Sequence, residues 1–485
     1  MARVTRLSPM DSSFLRVESE NAHMHVGWFS NVELPEGVQE LDTTDMAARI
    51  AGRLHLLPRF RQRVTPVPLG AGDPVWRDDP SFYLPNHVRV LPGPLDEAGL
   101  RRATDAFFTR PLRRDRPLWE IVLVPRLPHG RAAVLGKIHH AMADGIAAVE
   151  LGMLLFDVTP DTEAPAPSEW TPAPTEGPAR LALGAVADTA LEQFRATRRM
   201  VGLGRSPART IRIADTLRRA ALSLAEDTIR RAPESYLNPE IGPGRTLVTH
   251  RVELDRLLRL KEQKQVKLND IVLAVAAGAL RRFALERDEP PVDLRAMVPV
   301  NVRPRDGEAA TGNKITFGFI ELPISSARAG ERLDRVVGAM AALKADGLIE
   351  GSALLMAGIG LCPEPIKDRA ARLAASPRLY NLTVSNVPGP RVPLYAAGGR
   401  VVSIYPVIPI PDRHALSIGV LTYDRGAHFC CYADPLALPG VERLAPALED
   451  TIVELERSIR PRSPRPASRR SHRHRRNLRV VEQVG

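Results

Sequence analysis

The segment Arg131 to Asp157, RAAVLGKIHHAMADGIAAVELGMLLFD, places the tightest constraint on the fold. Ala132 to Ile138 is a β-rich apolar run that predicts a buried strand, and Ile146 to Phe156 carries apolar residues at helical spacing. His139, His140, Asp144 and Gly145 therefore stand at a strand-to-helix junction, where α/β folds open into clefts. Consecutive strand side chains point to opposite faces, and no Cys or Glu lies nearby at ligand spacing, so the two histidines do not read as a metal pair. One imidazole entering the cleft suits a general base tuned near neutral pH. The competing reading is a core histidine with its bonds satisfied. Asp144, four residues after His140, is within turn distance to orient the ring or anchor an Arg, and Gly145 permits a tight turn.

Strand-like and helix-like pieces alternate on both sides of this junction. His23 to Asn31, Glu120 to Val124 and Ala132 to Ile138 read as strands, and Thr44 to Leu56 as a helix. Pro160 to Pro178 is Pro-rich and weakly polar and reads as a linker. Arg180 to Arg231 reads as two or three amphipathic helices broken near Gly202 to Pro207, packing on the main body in preference to a membrane surface. Leu268 to Leu285 is a largely apolar helix. Arg295 to Val302, Ile315 to Pro323, Leu379 to Ser385, Val401 to Tyr405, Ala415 to Tyr423 and His428 to Tyr432 read as strands, with helices at Leu333 to Leu348, Ser352 to Ala375 and Leu438 to Ile459. The organisation is an α/β chain of two similar halves, 1–159 and 244–460, joined by the linker 160–178 and a helical connector 179–243, with a disordered Arg-rich tail 461–485. A crevice between the halves is the natural place for a site.

The chain is basic: 67 Lys plus Arg against 56 Asp plus Glu give +11 over 485 residues. Arg460 to Gly485 holds nine Arg and one acid, which is +8, so the body carries 11 − 8 = +3. The tail lacks interleaved aromatics that would stack bases, and nucleic acid is not the expected partner. Cys362, Cys430 and Cys431 cannot form a disulfide framework, which points to a reducing compartment. Acidic and basic residues interrupt the N-terminal segment, so no secretory signal is read there, and no stretch reaches the roughly 18 apolar residues of a spanning helix.

HHAMADG at His139 to Gly145 resembles HHxxxDG, the signature of the CoA-dependent acyltransferase superfamily that includes chloramphenicol acetyltransferase and peptide-synthetase condensation domains. LSPMDSSFL (Leu7 to Leu15), HVGWF (His25 to Phe29), PLW (Pro117 to Trp119), NDIVLA (Asn269 to Ala274), MVPVNVRP (Met297 to Pro304), Gly312–Asn313 and SNVPGP (Ser385 to Pro390) are similar, in order, to segments of one branch, the bacterial wax ester synthase/diacylglycerol acyltransferase family. The resemblance runs from about residue 6 to 459 and leaves out the tail. It implies two chloramphenicol-acetyltransferase-like domains, mixed sheets with flanking helices, and an active site in a tunnel at their interface.

The implied activity is transfer of a long-chain acyl group from acyl-CoA to diacylglycerol, and to a long-chain alcohol as a wax ester, without a covalent acyl-enzyme. Acyl-CoA is then a substrate and CoA a product, and no cofactor or metal is expected. In this reading His140 takes the proton of the acceptor hydroxyl and returns it to the CoA thiolate. Asn269 is the candidate oxyanion donor, because an amide donates without carrying charge; it suits a helix N-cap equally well. His139, Asp144, Gly145 and Asp270 take structural roles, with Arg303 the candidate partner of Asp144. Pro117, Leu118 and Trp119 pack near the junction, and with Ser385 and Asn386, on a strand-ending turn, they are candidate substrate contacts. Cys430 or Cys431 as a nucleophile is disfavoured, because no paired His motif accompanies them.

Two other readings remain open at this point: an acyltransferase using a carrier-protein thioester or a polyketide-lipid acceptor, and a noncatalytic lipid-binding homologue whose Arg-rich tail docks on anionic membranes. The expected location is cytoplasmic, peripheral to the inner membrane face or to lipid droplets.

Overall fold

The computed structural model describes residues 5–70, 72–142, 152, 154–203, 215, 218, 231–301, 315–345, 358–360 and 362–459. The first half contains β1 (Thr5–Arg6), α1 (Pro9–Arg16), β2 (His25–Glu33), α2 (Thr43–Arg53), β3 (Gln62–Thr65), β4 (Val75–Asp78), β5 (Val88–Val90), α3 (Glu97–Thr109), β6 (Trp119–Leu127), β7 (Arg131–His139) and α4 (Pro178–Leu203). The second half contains β8 (Thr246–Glu253), α5 (Leu254–Lys264), α6 (Leu268–Glu286), β9 (Leu294–Asn301), β10 (Ile315–Leu322), α7 (Ala329–Ala345), α8 (Glu364–Ala374), β11 (Leu382–Pro388), β12 (Tyr395–Ala396), β13 (Gly399–Val407), β14 (Leu416–Tyr423), β15 (Gly426–Ala433) and α9 (Leu444–Ile459).

Two mixed sheets carry the architecture. One is ordered β12-β13-β2-β7-β6-β5 and the other β10-β9-β11-β14-β15-β8, with a small sheet β1-β4-β3 beside them. β7 lies inside the first sheet, antiparallel to β2 and β6. From Ala132 to His139 it is buried at every position, as its near-continuous apolar run requires. Gly136 is where β2 and β7 meet most closely. Any Cβ there would lie 1.9 Å from the Trp28 ring, so only glycine lets the indole cross β7.

The first sheet takes two of its strands from the far end of the chain. β13 pairs with β2, Tyr405 opposite Phe29, and also packs against β14 and β15 of the second sheet. The apolar core is accordingly shared: Met24, Phe29, Val122 and Leu135 of the first half form one cluster with Ile271, Val298, Ile320 and Val420 of the second. α6 is the centre of that cluster. It is buried from Asp270 to Leu280 and packs against α5, α7, α9 and β11, as expected of a helix apolar on all sides.

Short helices start where polar caps allow. Ser8 Oγ accepts from the Asp11 amide at 3.1 Å with Pro9 in the first position, Asp42 caps α2 and Asp96 caps α3. Three sequence expectations need correction. The helix read over Ser352 to Ala375 is interrupted at Pro363, which caps the separate helix α8, because proline disfavours helical backbone in the residue before it. The strand read over Leu379 to Ser385 is shifted to Leu382–Pro388, since the Asn381 side chain holds the chain first, through the Arg295 amide, the Pro233 carbonyl and Asn238. As a result Ser385 and Asn386 lie within β11, and only Gly389 begins the turn. α4 runs unbroken through Gly202 to Leu203, with Leu181 and Ala185 packed on Val67 and Val75; the rest of the break read near Gly202 to Pro207, and the tail 461–485, lie outside the described residues.

Candidate active site

β7 delivers the two histidines, and the turn that follows sorts them. The His139 amide donates to the Leu118 carbonyl at 2.9 Å, the His140 amide to the Met24 carbonyl at 2.7 Å, and the Met142 amide to the His139 carbonyl at 2.8 Å. The backbone of the turn is thereby fixed by β6, by the approach to β2, and by itself.

His139 is buried with its ring bonded at both ends. Its Nδ1 accepts the Ala141 amide at 3.0 Å, which places the ring proton on Nε2, where it donates to Glu18 Oε1 at 2.9 Å. Burial works against the Glu18 charge, but the His139 hydrogen bond, the Arg114 guanidinium and the Met24 amide hold its carboxyl down at about 2. His25 stands edge-on to His139, centroids 6.1 Å apart, and burial followed by the nearby Lys137 charge drives it well below the usual histidine range. Lys137 donates to the Phe107 and Arg110 carbonyls at the end of α3, and burial brings it down to about 7.

His140 has the opposite surroundings. Phe14 of α1 lies flat on its ring, centroids 3.7 Å apart and planes at 16°. Its Nδ1 is buried without a hydrogen-bond partner among the described residues. Burial, against a hydrogen bond to its own backbone and with a smaller contribution from His139, lowers the imidazole to about 4, so it is neutral at physiological pH. Other buried side-chain atoms among the described residues also lack a partner, and what sets His140 apart is its place in the turn after β7, at the second position of the HHxxxDG segment.

Pro117, Leu118 and Trp119 are buried against this turn. Trp119 is fully enclosed, donates Nε1–H to the Phe60 carbonyl at 2.8 Å and stacks on His87, centroids 4.6 Å apart. What PLW contributes to the site is the Leu118 carbonyl that receives the His139 amide. Asp144, Gly145 and Arg303 lie outside the described residues.

At the start of α6 the helix is capped by Lys267, in extended backbone at φ −87°, ψ 152°, and Asp270 Oδ2 accepts the Lys267 amide at 3.0 Å. The alternative that Asn269 is the N-cap is therefore corrected: it is the second helical residue, half-buried, in the first turn where amides point outward unpaired. Asp270 is buried, with Oδ2 on the Lys267 amide. Phe14 and Leu268 pack against the same apolar cluster as Ile271 and Val272, so the start of α6 and the His140 stack share one core. On β11, beside α6, Ser385 is buried and Asn386 Oδ1 is a further buried atom with no partner among the described residues.

Sequence reasoning assigned no role to Phe14 and did not find Glu18 as the partner of His139. The only signal was the segment LSPMDSSFLRVE itself, which sits next to neither histidine in the chain. Burial pushes Cys431 up to about 12 and Cys430 well above its usual value, which leaves both thiols protonated and inert. Among the described residues no group of three or more His, Cys, Asp or Glu is placed to hold a metal ion, and no helix is long and apolar enough to cross a membrane.

Solved structures share this fold of two mixed sheets. A starter condensation domain of rhizomide synthetase shares the fold at a TM-score of 0.59 and 14% identity, covering 95% of each chain. The wax ester synthase/diacylglycerol acyltransferase from Marinobacter aquaeolei VT8 is 25% identical with a TM-score of 0.66, covering 94% of this chain and 100% of that one. A probable diacylglycerol O-acyltransferase of Mycobacterium tuberculosis, tgs2, is 30% identical over 458 residues, covering 93% of this chain and 99% of that protein. The tgs1 protein of the same organism is 30% identical over 467 residues, covering 93% and 96%. The wax ester synthase/diacylglycerol acyltransferase catalytic domain matches residues 7–272, and the WS/DGAT C-terminal domain matches residues 311–456. The chain belongs to the wax ester synthase/diacylglycerol acyltransferase family and is an acyltransferase.

Proposed function

We propose that this enzyme moves a long-chain acyl group from acyl-CoA to diacylglycerol, and to a long-chain alcohol as a second acceptor, with His140 as general base. The observation that carries the assignment is the contrast within the pair: His139 is saturated with bonds, while the ring of His140 is neutral and its Nδ1 bonds no other residue among those described. The names of the relatives support the acceptor class. An alcohol is a poor nucleophile at neutral pH, and a positioned base typically contributes 10²- to 10⁴-fold. His140 takes the hydroxyl proton as oxygen attacks the thioester carbonyl. An imidazole this weakly basic does not take up the proton ahead of attack, so proton transfer accompanies C–O bond formation. Collapse of the tetrahedral adduct breaks the C–S bond, and the imidazolium returns its proton to the departing CoA thiolate, leaving an ester, free CoA and neutral His140.

Asn269 is the proposed donor to the tetrahedral oxyanion. Its support is its place in the first turn of α6, where a side-chain amide, outward-pointing backbone N–H groups and the positive end of the helix dipole coincide. The acyl chain and the acceptor meet between the two sheets, in a passage that His140 and the start of α6 border. The lipid acceptor places the enzyme at a membrane or lipid-droplet surface on the cytoplasmic side, as a peripheral protein. No cofactor takes part.

The test is acceptor-dependent CoA release. The purified full chain, given palmitoyl-CoA with dioleoylglycerol or with hexadecanol, is expected to release CoA well above the rate without acceptor, faster with the diacylglycerol. Release that neither acceptor raises would overturn the assignment.

A further inference from the structure

α1 spans eight residues, Pro9–Arg16, too few for a helix to hold its shape alone. Its position is set by what it touches, and its two faces touch very different things. Phe14 lies on the His140 ring, while Arg16, about 200° further round the helix, enters a cluster of charges contributed by three separate parts of the chain. Asp73 is the hub: its Oδ1 accepts from Ser12 Oγ at 2.8 Å and from Arg16 Nη2 at 2.7 Å, and its Oδ2 accepts from Lys367 Nζ at 2.8 Å. Arg16 also pairs with Glu364 and Asp368 of α8, and Lys367 bonds Glu364 at 3.2 Å. Asp73, Arg16 and Lys367 each keep only 12 to 13% of their side-chain surface exposed. The cluster is therefore mostly shielded from water, where charge pairs hold more firmly than they do on the surface. α8 belongs to the C-terminal domain, residues 311–456, and α1 to the catalytic domain, so the cluster bridges the two.

We infer that Phe14 is a positioning residue for His140, and that the Arg16–Asp73–Lys367 cluster holds it there by clamping α1 to α8. The inference rests on the reading of His140 as the base. A flat aromatic neighbour 3.7 Å away leaves the imidazole one plane in which to lie, so a ring nitrogen meets the acceptor hydroxyl at one angle only. Lose the stack or the clamp, and the imidazole gains rotational freedom while the acyl-CoA site itself is untouched.

The experiment pairs kinetics with a spectroscopic reading of the ring. In Phe14→Leu, kcat is expected to fall about tenfold with KM for palmitoyl-CoA unchanged within about twofold, because a displacement near 1 Å at a reacting group costs up to 10². Phe14→Tyr, which keeps the stack, is expected to restore kcat. Asp73→Asn is expected to lower kcat in the same way, and the Phe14→Leu/Asp73→Asn double variant to be no slower than Phe14→Leu alone, since both remove one constraint. If Asp73→Asn does not fold, Lys367→Met serves in its place. In the protein labelled with [¹³Cε1]histidine, the His140 Hε1 resonance, assigned by its loss in His140→Ala, is expected upfield through the Phe14 ring current. It should move downfield in Phe14→Leu and in Asp73→Asn and return in Phe14→Tyr. A resonance that stays in place in both variants, or one that moves while kcat holds, overturns the inference. Activity retained in His140→Ala would instead strike at the base assignment, and the resonance reads the stack independently of that outcome.

Discussion

His139 and His140 are neighbours in the chain, yet the fold treats them as opposites. The side of β7 that carries His139 is a polar wall in which Glu18, itself paired with Arg114, and the Ala141 amide saturate the imidazole. The side that carries His140 is aromatic and leaves Nδ1 without a partner among the described residues. The turn that follows β7 converts one dipeptide into a rigid support and an available base. A base adjacent to its own support inherits that support's precision, and the half-buried Glu18 carboxylate anchors the His139 ring.

The contrast can be broken from either side. The largest effect on stability is expected from His139→Ala, which strips the half-buried Glu18 carboxylate of one hydrogen bond and the Ala141 amide of its acceptor; the cost is about 2–4 kcal/mol, read as a fall in melting temperature. A variant that melts with the wild type would mean that the ring supports nothing. Glu18→Gln keeps an acceptor for His139 Nε2–H but loses the charge facing Arg114, and a smaller loss of about 1 kcal/mol is expected. If Glu18→Gln melts lower than His139→Ala, the carboxylate and not the imidazole is the keystone.

Acid should sharpen the same distinction. Burial holds His140, His414 and His428 at about 4 and His25 well below its usual range, whereas in the unfolded chain each titrates near 6.5. Between those values the unfolded state binds more protons than the folded one, so stability is expected to decline as pH falls from about 6.5 toward 4. Glu18, at about 2 when folded against an ordinary 4.5, adds a further loss below pH 4.5. A melting temperature that is level from pH 7 to pH 4.5 would contradict the buried, neutral imidazoles.

Much of the fold was legible because its strongest signals are local. β7 announced itself as an apolar run ending in the histidine pair, and α6 as a helix apolar on every side. The exchange of β13 into the first sheet was not legible, because it pairs Tyr405 with Phe29 across most of the chain and periodicity carries no long-range pairing. Glu18 escaped for the same reason: 121 residues separate it from His139, and an acid in an irregular stretch has no spacing to reveal its partner. Asn269 drew the N-cap reading because Asn is a favoured cap, and Lys267, whose side chain has no acceptor, is not one that composition suggests. The Asp73 hub is a single acid before a proline, and only the folded chain shows that α1 and α8 converge on it.

The central claim is that His140 does the chemistry while His139 holds the turn, and CoA release by His140→Ala tests it most directly. With palmitoyl-CoA and dioleoylglycerol, the expected result is a loss of at least about 10²-fold in kcat, with KM for acyl-CoA and the melting temperature close to those of the wild type. Release within tenfold of the wild-type rate would show that the proton leaves the acceptor by another route.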